Sequence, residues 1–145
     1  MSMLNQFFIP SVADPQGFAT PYAGGAVNAR VWSFAYNTSG IASGVTLFTL
    51  PLNAVIVGMT LNLVTAFNGT GTNTLDFGTT GALTQYAASI DASVTGQTST
   101  GWTASRLCTA LATDTPITVR YNGTSASAGK GQLIVFYIGI SQTIP

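Results

Sequence analysis

Histidine and glutamate do not occur in this chain. Its 145 residues carry only four basic and four acidic side chains. Most enzymes move protons with His, Glu or Asp held at tuned geometry and pKa. Four aspartates, three arginines, one lysine and one cysteine remain for such work. They stand far apart in sequence and form no catalytic motif, so no enzyme activity is expected. What is abundant is Thr, Ser, Ala, Gly, Asn, Val, Leu and aromatics, the residues of strands, turns and contact surfaces.

Other scarcities exclude further classes. Cys108 is alone, so no bridge forms within the chain, and a free cysteine is expected to be a small buried hydrophobe. Without histidine, and with aspartates only at 14, 76, 91 and 114, neither a zinc cluster nor a calcium loop is spelled out. No cofactor or metal is therefore expected. Arg30, Arg106, Arg120 and Lys130 are too dispersed for the basic stripe that nucleic acid or an anionic membrane requires. The first ten residues lack a basic leader, and no apolar run is long enough to cross a bilayer as a helix. A surface this poor in charge is tolerable when neighbours cover much of it.

Two regions differ in composition. Residues 1–28 hold Pro10, Pro15 and Pro21, which oppose helix, yet also Phe7, Phe8, Ile9, Phe18 and Tyr22. A freely disordered tail has fewer aromatics. This stretch is expected to be an extended arm that docks by strand addition or in a groove. Residues 29–145 are expected to form one domain of a size that sustains its own core.

Period-two alternation dominates that domain. Trp32, Phe34 and Tyr36 share one face of a strand. Gly44 to Leu50 is a second, ended by Pro51. Val55, Val57, Met59, Leu61 and Leu63 alternate with Ile56, Gly58, Thr60 and Asn62 in a run long enough to need a bulge, for which Gly58 is the candidate. Asn68 to Thr72 is a glycine-rich turn, and Asn73 to Gly78 a short strand. Residues 81–88 have helical spacing sufficient for one turn. Ser89 to Val94 is another strand, Thr95 to Gly101 a loop, and Trp102 to Leu111 strand or irregular. Pro116 to Tyr121 and Gln132 to Ile140 read as a hairpin with a long loop. The last strand is apolar on both faces, so its outward side, with Ile138 and Ile140, is expected to meet the arm, another sheet or a second subunit.

The polar residues have plain explanations. Asp76 is expected on the solvent side of its strand, Asp114 in a turn, and Asp91 in an ion pair with Arg106 or Arg120. The sequons at Asn37, Asn68 and Asn122 read as turn asparagines. Trp32, Tyr36, Tyr86 and Trp102 are candidates for stacking on a sugar, or for core and interface packing.

The count is about eight strands without a convincing helix. The expected fold is all-β: an eight-stranded antiparallel β-sandwich of jelly-roll type with an extended N-terminal arm. A seven-stranded immunoglobulin-like sandwich has the same alternation.

The segments Leu47-Phe48-Thr49-Leu50-Pro51 through Phe67-Asn68-Gly69, Leu75-Asp76-Phe77-Gly78, Tyr86 to Asp91, and Val119-Arg120-Tyr121-Asn122 through Val135-Phe136-Tyr137 resemble, in order and character, the head decoration or cement proteins of tailed bacteriophages. The resemblance covers roughly residues 44–140 and leaves the arm unmatched. It implies a structural virion protein, made in the host cytoplasm. Such a protein binds the major capsid protein on the outer surface of the capsid and bridges neighbouring capsomers as a homo-oligomer (dimer or trimer). Phe7, Phe8, Ile9, Phe18, Tyr22, Ile138 and Ile140 are the candidate contact residues, from their apolar character. The alternative is a tail, knob or fibre module that binds a receptor or glycan.

Overall fold

The computed structural model describes residues 27–139. Within them lie eight strands: β1 Val27–Ala35, β2 Val45–Leu50, β3 Val55–Thr65, β4 Thr70–Thr79, β5 Ala82–Asp91, β6 Gly96–Thr98, β7 Thr115–Thr124 and β8 Lys130–Ile138. One 3-10 turn, Ala104–Arg106, is the sole helical element among the described residues. The strands form two antiparallel four-stranded sheets, ordered β1-β8-β3-β6 and β2-β7-β4-β5. The first strand pairs with the last, the second with the seventh, the third with the sixth and the fourth with the fifth. A long antiparallel hairpin wrapped over itself produces this order, with β8 beside β3 and β7 beside β4 closing each sheet. It is the jelly roll.

The core lies between the sheets. Leu50, Ile56, Leu61, Leu75, Phe77, Ile117, Val119, Leu133 and Val135 are fully buried. Each such side chain contributes about 1.5–3 kcal/mol relative to exposure. Phe34 packs on Phe77 with ring centroids 6.1 Å apart, and Phe67 on Tyr121 at 4.6 Å. The β3 register shifts between Ile56 and Gly58, which is the bulge expected there. Its consequence was not expected. Ile56 points into the core, Val57 turns out to solvent, and Met59, Leu61 and Leu63 resume the inward face. One extra residue reverses the alternation on one side of the bulge.

Three local expectations are corrected. Residues 82–91 are one continuous strand rather than a helical turn followed by a strand. Thr79 pairs with Ala82 across a tight turn at Thr80-Gly81, and this cross-strand pairing outweighs weak helical spacing. The stretch expected as the loop 95–101 contains β6, whose three residues pair with Leu61, Asn62 and Leu63. The β7 and β8 strands are not a hairpin: they belong to opposite sheets. Each shows one face to the same core, so alternation reads alike whether two strands pair or face one another.

The β7–β8 crossing is tied to the β3–β4 crossing. Asn68 Oδ1 accepts the Ser127 and Ala128 N–H groups at 2.9 Å each, and its Nδ2 donates to Ser127 Oγ at 3.0 Å. Gly129 (φ 145°) passes so close to the Phe67 ring that a β-carbon would overlap it, 2.5 Å from the nearest ring atom. Backbone conformation and space both require glycine there.

Candidate interaction surfaces

The two sheets present outer faces of different chemistry. On the β2-β7-β4-β5 sheet, Asp76 of β4 is opposite Arg120 of β7. Leu75 and Phe77 point inward, so Asp76 points outward as its position in the strand predicts. It is nevertheless only 2% exposed, which corrects the expected solvent-facing aspartate. Arg120 lies over it: Nε donates to Asp76 Oδ2 at 3.0 Å and Nη2 donates to the same oxygen. Asn122 Nδ2 donates to Oδ2 at 2.9 Å. On the other side, β5 bulges opposite Asp76, since Leu75 pairs with Ile90 and Phe77 with Ala87. Ser89 takes a positive φ of 55° in this bulge and donates its N–H to Oδ1 at 2.7 Å.

Burial raises the Asp76 pKa, but the bonds from Asn122 and the Ser89 N–H, together with Arg120, outweigh it. The carboxyl is held below its ordinary value. The Asp76–Arg120 contact is the one ion pair among the described residues. Asp91 has no arginine partner. It accepts from the Ser93 hydroxyl (2.7 Å) and N–H (2.9 Å), which hold its carboxyl low in a local turn. Asn122 is a strand residue rather than a turn asparagine. Asp114 is, as expected, outside the strands, and accepts the Leu52 N–H at 2.8 Å.

The outer face of β1, β8 and β3 is polar at one end, where Ser33, Gln132 and Asn62 stand in register, and apolar at the other. Register places Val27, Ala29 and Val31 of β1 opposite Ile138, Phe136 and Ile134 of β8. On the other flank those three meet Val55, Gly58 and Thr60 of β3. Val27 is 60% exposed, Val31 52% and Phe136 36%. Ionisable side chains are absent from this block; Lys130 stands at the far end of β8 and Arg30 points to the other side, its guanidinium 5.7 Å from the Phe48 ring. The block borders a groove of about 410 Å³ between Val57, Phe136, Trp102 and Leu107. The bulge at Gly58 belongs to this surface, because it turns Val57 out beside Phe136.

Of the sequence-derived contact residues, Ile138 ends β8 on this face, half-buried and paired with Val27 and Val55. Phe7, Phe8, Ile9, Phe18, Tyr22 and Ile140 lie outside the described residues. The expected arm does too, except for Val27 and Asn28, which begin β1. Sequence reasoning left Val27, Val31, Ile134 and Phe136 out of the contact set. The signal for Ile134 and Phe136 was present in the two-sided apolar pattern of β8.

A second groove of about 440 Å³ lies between the β4–β5 turn and residues 105–116, lined by Gln85, Arg106, Thr109 and Asp114 among others. Tyr86 at its base is buried, which pushes its phenol pKa up against the opposing influence of Gln85 and Arg106. A ring so enclosed is not open for stacking on a sugar. Trp102 packs on Phe77 (5.4 Å) and Trp32 on Phe48 (5.7 Å). Cys108 is exposed, with φ 60°, rather than buried. Among the described residues no three His, Cys, Asp or Glu side chains come together as a metal site.

No family model and no curated protein matches the chain. Among solved structures it is similar to a chain of the cyanophage Pam1 capsid asymmetric unit, with 24% identity, a TM-score of 0.60, and coverage of 95% of this chain and 99% of that one. It is also similar to a chain of the acid-stable capsid of Helicobacter pylori bacteriophage KHP30 (18% identity, TM-score 0.61, coverage 79% and 89%). A chain of the capsid of Ralstonia phage GP4 aligns as well (23%, TM-score 0.62, coverage 81% and 87%). With its wrapped strand order and these likenesses together, the chain has a jelly-roll fold that it shares with chains of phage capsids.

Proposed function

We propose that this protein is a structural component of a phage particle that binds the outer surface of the capsid and cements neighbouring capsomers. The observation that carries the reading is the match over nearly the whole length of both chains to a component of a phage capsid asymmetric unit. The composition agrees with it. A chain with eight charged side chains and an apolar block on one outer sheet face works by contact, not by turnover. Its partner is the major capsid protein, and its own copies associate as a dimer or trimer. Each copy binds modestly, and contacts repeated over the lattice raise the effective concentration at every site, so the array holds where one contact does not.

The test is a purified particle. Quantitative mass spectrometry should find hundreds of copies per head, and image reconstruction should place them on the outside of the shell. A few copies at one vertex would instead favour a tail, knob or fibre module. Attachment should survive about 1 M salt, where the Debye length is about 3 Å. Release under that condition would show that charge, not apolar contact, holds the protein.

A further inference from the structure

We propose that two copies of this chain pair edge to edge through β1, antiparallel about a two-fold axis at Val31, so that the β1-β8-β3-β6 sheets of both continue as one sheet of eight strands. This deepens the reading that copies associate, and it rests on that reading. β1 is an end strand with no strand on its outer side among the described residues. Its nine residues pair with β8 without a register shift. The other end strands are guarded. β6 has three residues. β2 is broken by a register shift between Thr46 and Phe48 and is followed by Pro51. β5 is crossed by a strap whose Thr103 N–H donates to the Tyr86 carbonyl at 2.7 Å. A long, regular edge is a template for a further strand, and β1 carries one charged side chain, Arg30, and no proline.

Register follows from the backbone. Tyr36, just past β1, donates its N–H to the Gly129 carbonyl at 3.0 Å, whereas the Ala35 N–H turns to Thr38 Oγ1. Main-chain groups alternate in direction along a strand, so those of Ala29, Val31 and Ser33 point away from β8. A second β1 centred on Val31 sets Val31 against its own copy and Ala29 against Ser33 of the partner subunit, an exchange of about six hydrogen bonds. Only this centre aligns all nine residues of both strands, Val27 with Ala35. It also sets Arg30 opposite Trp32 of the partner subunit, twice by symmetry. Trp32 is 42% exposed, and Arg30 has no carboxylate partner among the described residues. The pairing supplies a cation–aromatic contact between cross-strand neighbours that stand close together. Moving the axis to Arg30 would set the two arginines against each other, which is unfavourable. Moving it to Trp32 would lose the Arg30–Trp32 contact. The strand edge is consumed by this pairing, and the outer sheet face stays open.

The experiment uses the full chain with Cys108→Ser as background, since Cys108 is exposed. One preparation carries Arg30→Cys, another Trp32→Cys, and the two are mixed in a glutathione redox buffer. In the proposed register these positions lie about 4.5 Å apart at Cα, inside disulfide range, while the two copies of position 30 lie about 8 Å apart, outside it. The mixed pair also keeps one Arg30–Trp32 contact, and either self-pair keeps none. Mass spectrometry should find the mixed disulfide in at least about tenfold excess over either self-pairing. A statistical mixture, or free thiols throughout, would overturn the proposal. Sedimentation of the unaltered chain should give a dimer. Val31→Pro removes an outward N–H where an edge strand tolerates proline, and should give a monomer with unchanged circular dichroism. A monomeric unaltered chain would overturn the proposal in favour of an edge that is bare or covered within the chain. A trimer, or a dimer that Val31→Pro leaves intact, would overturn it while the association of copies stands. If Val31→Pro unfolds, the mixed disulfide decides. Neither measurement involves a capsid, so attachment to one is judged separately.

Discussion

The two outer faces of this sandwich are built from the same alternating pattern and have opposite requirements. On the β2-β7-β4-β5 sheet, Asp76, Arg120, Asn122 and the Ser89 N–H satisfy one another within the chain. That face is complete without a neighbour. On the β1-β8-β3 sheet, Val27, Val31 and Phe136 remain open to solvent. A buried carboxylate must be compensated locally, because an uncompensated charge costs several kcal/mol. An exposed valine has no such obligation; it only gains when something covers it. The closed face is therefore satisfied within the chain, whereas the open face would gain from any surface that covered it.

Breaking the closed face should have the largest effect. Asp76→Ala removes the acceptor of four hydrogen bonds and leaves Arg120 without its carboxylate. Arg120 retains partial exposure, so the loss should be about 3 kcal/mol, at the low end for a broken buried pair. Urea denaturation of both proteins measures it. A loss below about 0.5 kcal/mol would place the pair among ordinary surface contacts.

Acid should act through the same group. The folded-state pKa of Asp76 is lowered from an ordinary value near 3.8, so the stability it confers is present above that value. It is lost as pH falls through the folded-state pKa. Wild type should lose stability below about pH 4, and Asp76→Asn should show a flatter profile there. Equal slopes would mean that another carboxylate governs acid unfolding.

The open face should respond differently. Ile134→Thr with Phe136→Ser should cost about 1 kcal/mol, because Phe136 is exposed and Ile134 half-buried, as urea denaturation measures. The same pair should also reduce aggregation, seen by light scattering, since it lessens the exposed apolar area. A loss above about 2 kcal/mol would mean that these side chains are not open to solvent. The smallest effect is expected at Cys108. Cys108→Ser should lie within about 0.5 kcal/mol of wild type, since the side chain is exposed.

Much of the strand content was legible in the residues. The inward faces of β7 and β8 follow from alternation, and Gly58 marked the bulge in β3, whereas in β2 a register shift buries the adjacent Leu47 and Phe48. The two-sided apolar pattern of β8 corresponds to Ile134, Phe136 and Ile138 on its outward face. Other features were not legible, for identifiable reasons. Asp76 alternates outward between Leu75 and Phe77 as a solvent residue does. Its burial depends on Arg120, forty-four positions later, and on a bulge in a third strand. Cys108 has a composition that favours burial but lies in an irregular segment whose path is set by the strands it crosses. Residues 81–88 carried weak helical spacing that the β4–β5 pairing overrode.

Periodicity and composition by themselves determined that the described residues form strands and that few charged side chains stand on them. These are local properties, since each side chain's affinity for water and each residue's backbone preference act wherever the chain lies. Which strands share a sheet was decided only in three dimensions, as were the separation of β7 from β8, the enclosure of Asp76 and the gathering of Val31, Ile134 and Phe136 into one face. Those outcomes depend on hydrogen-bond partners distant in sequence, and a strand offers the same edge to any partner that matches its register.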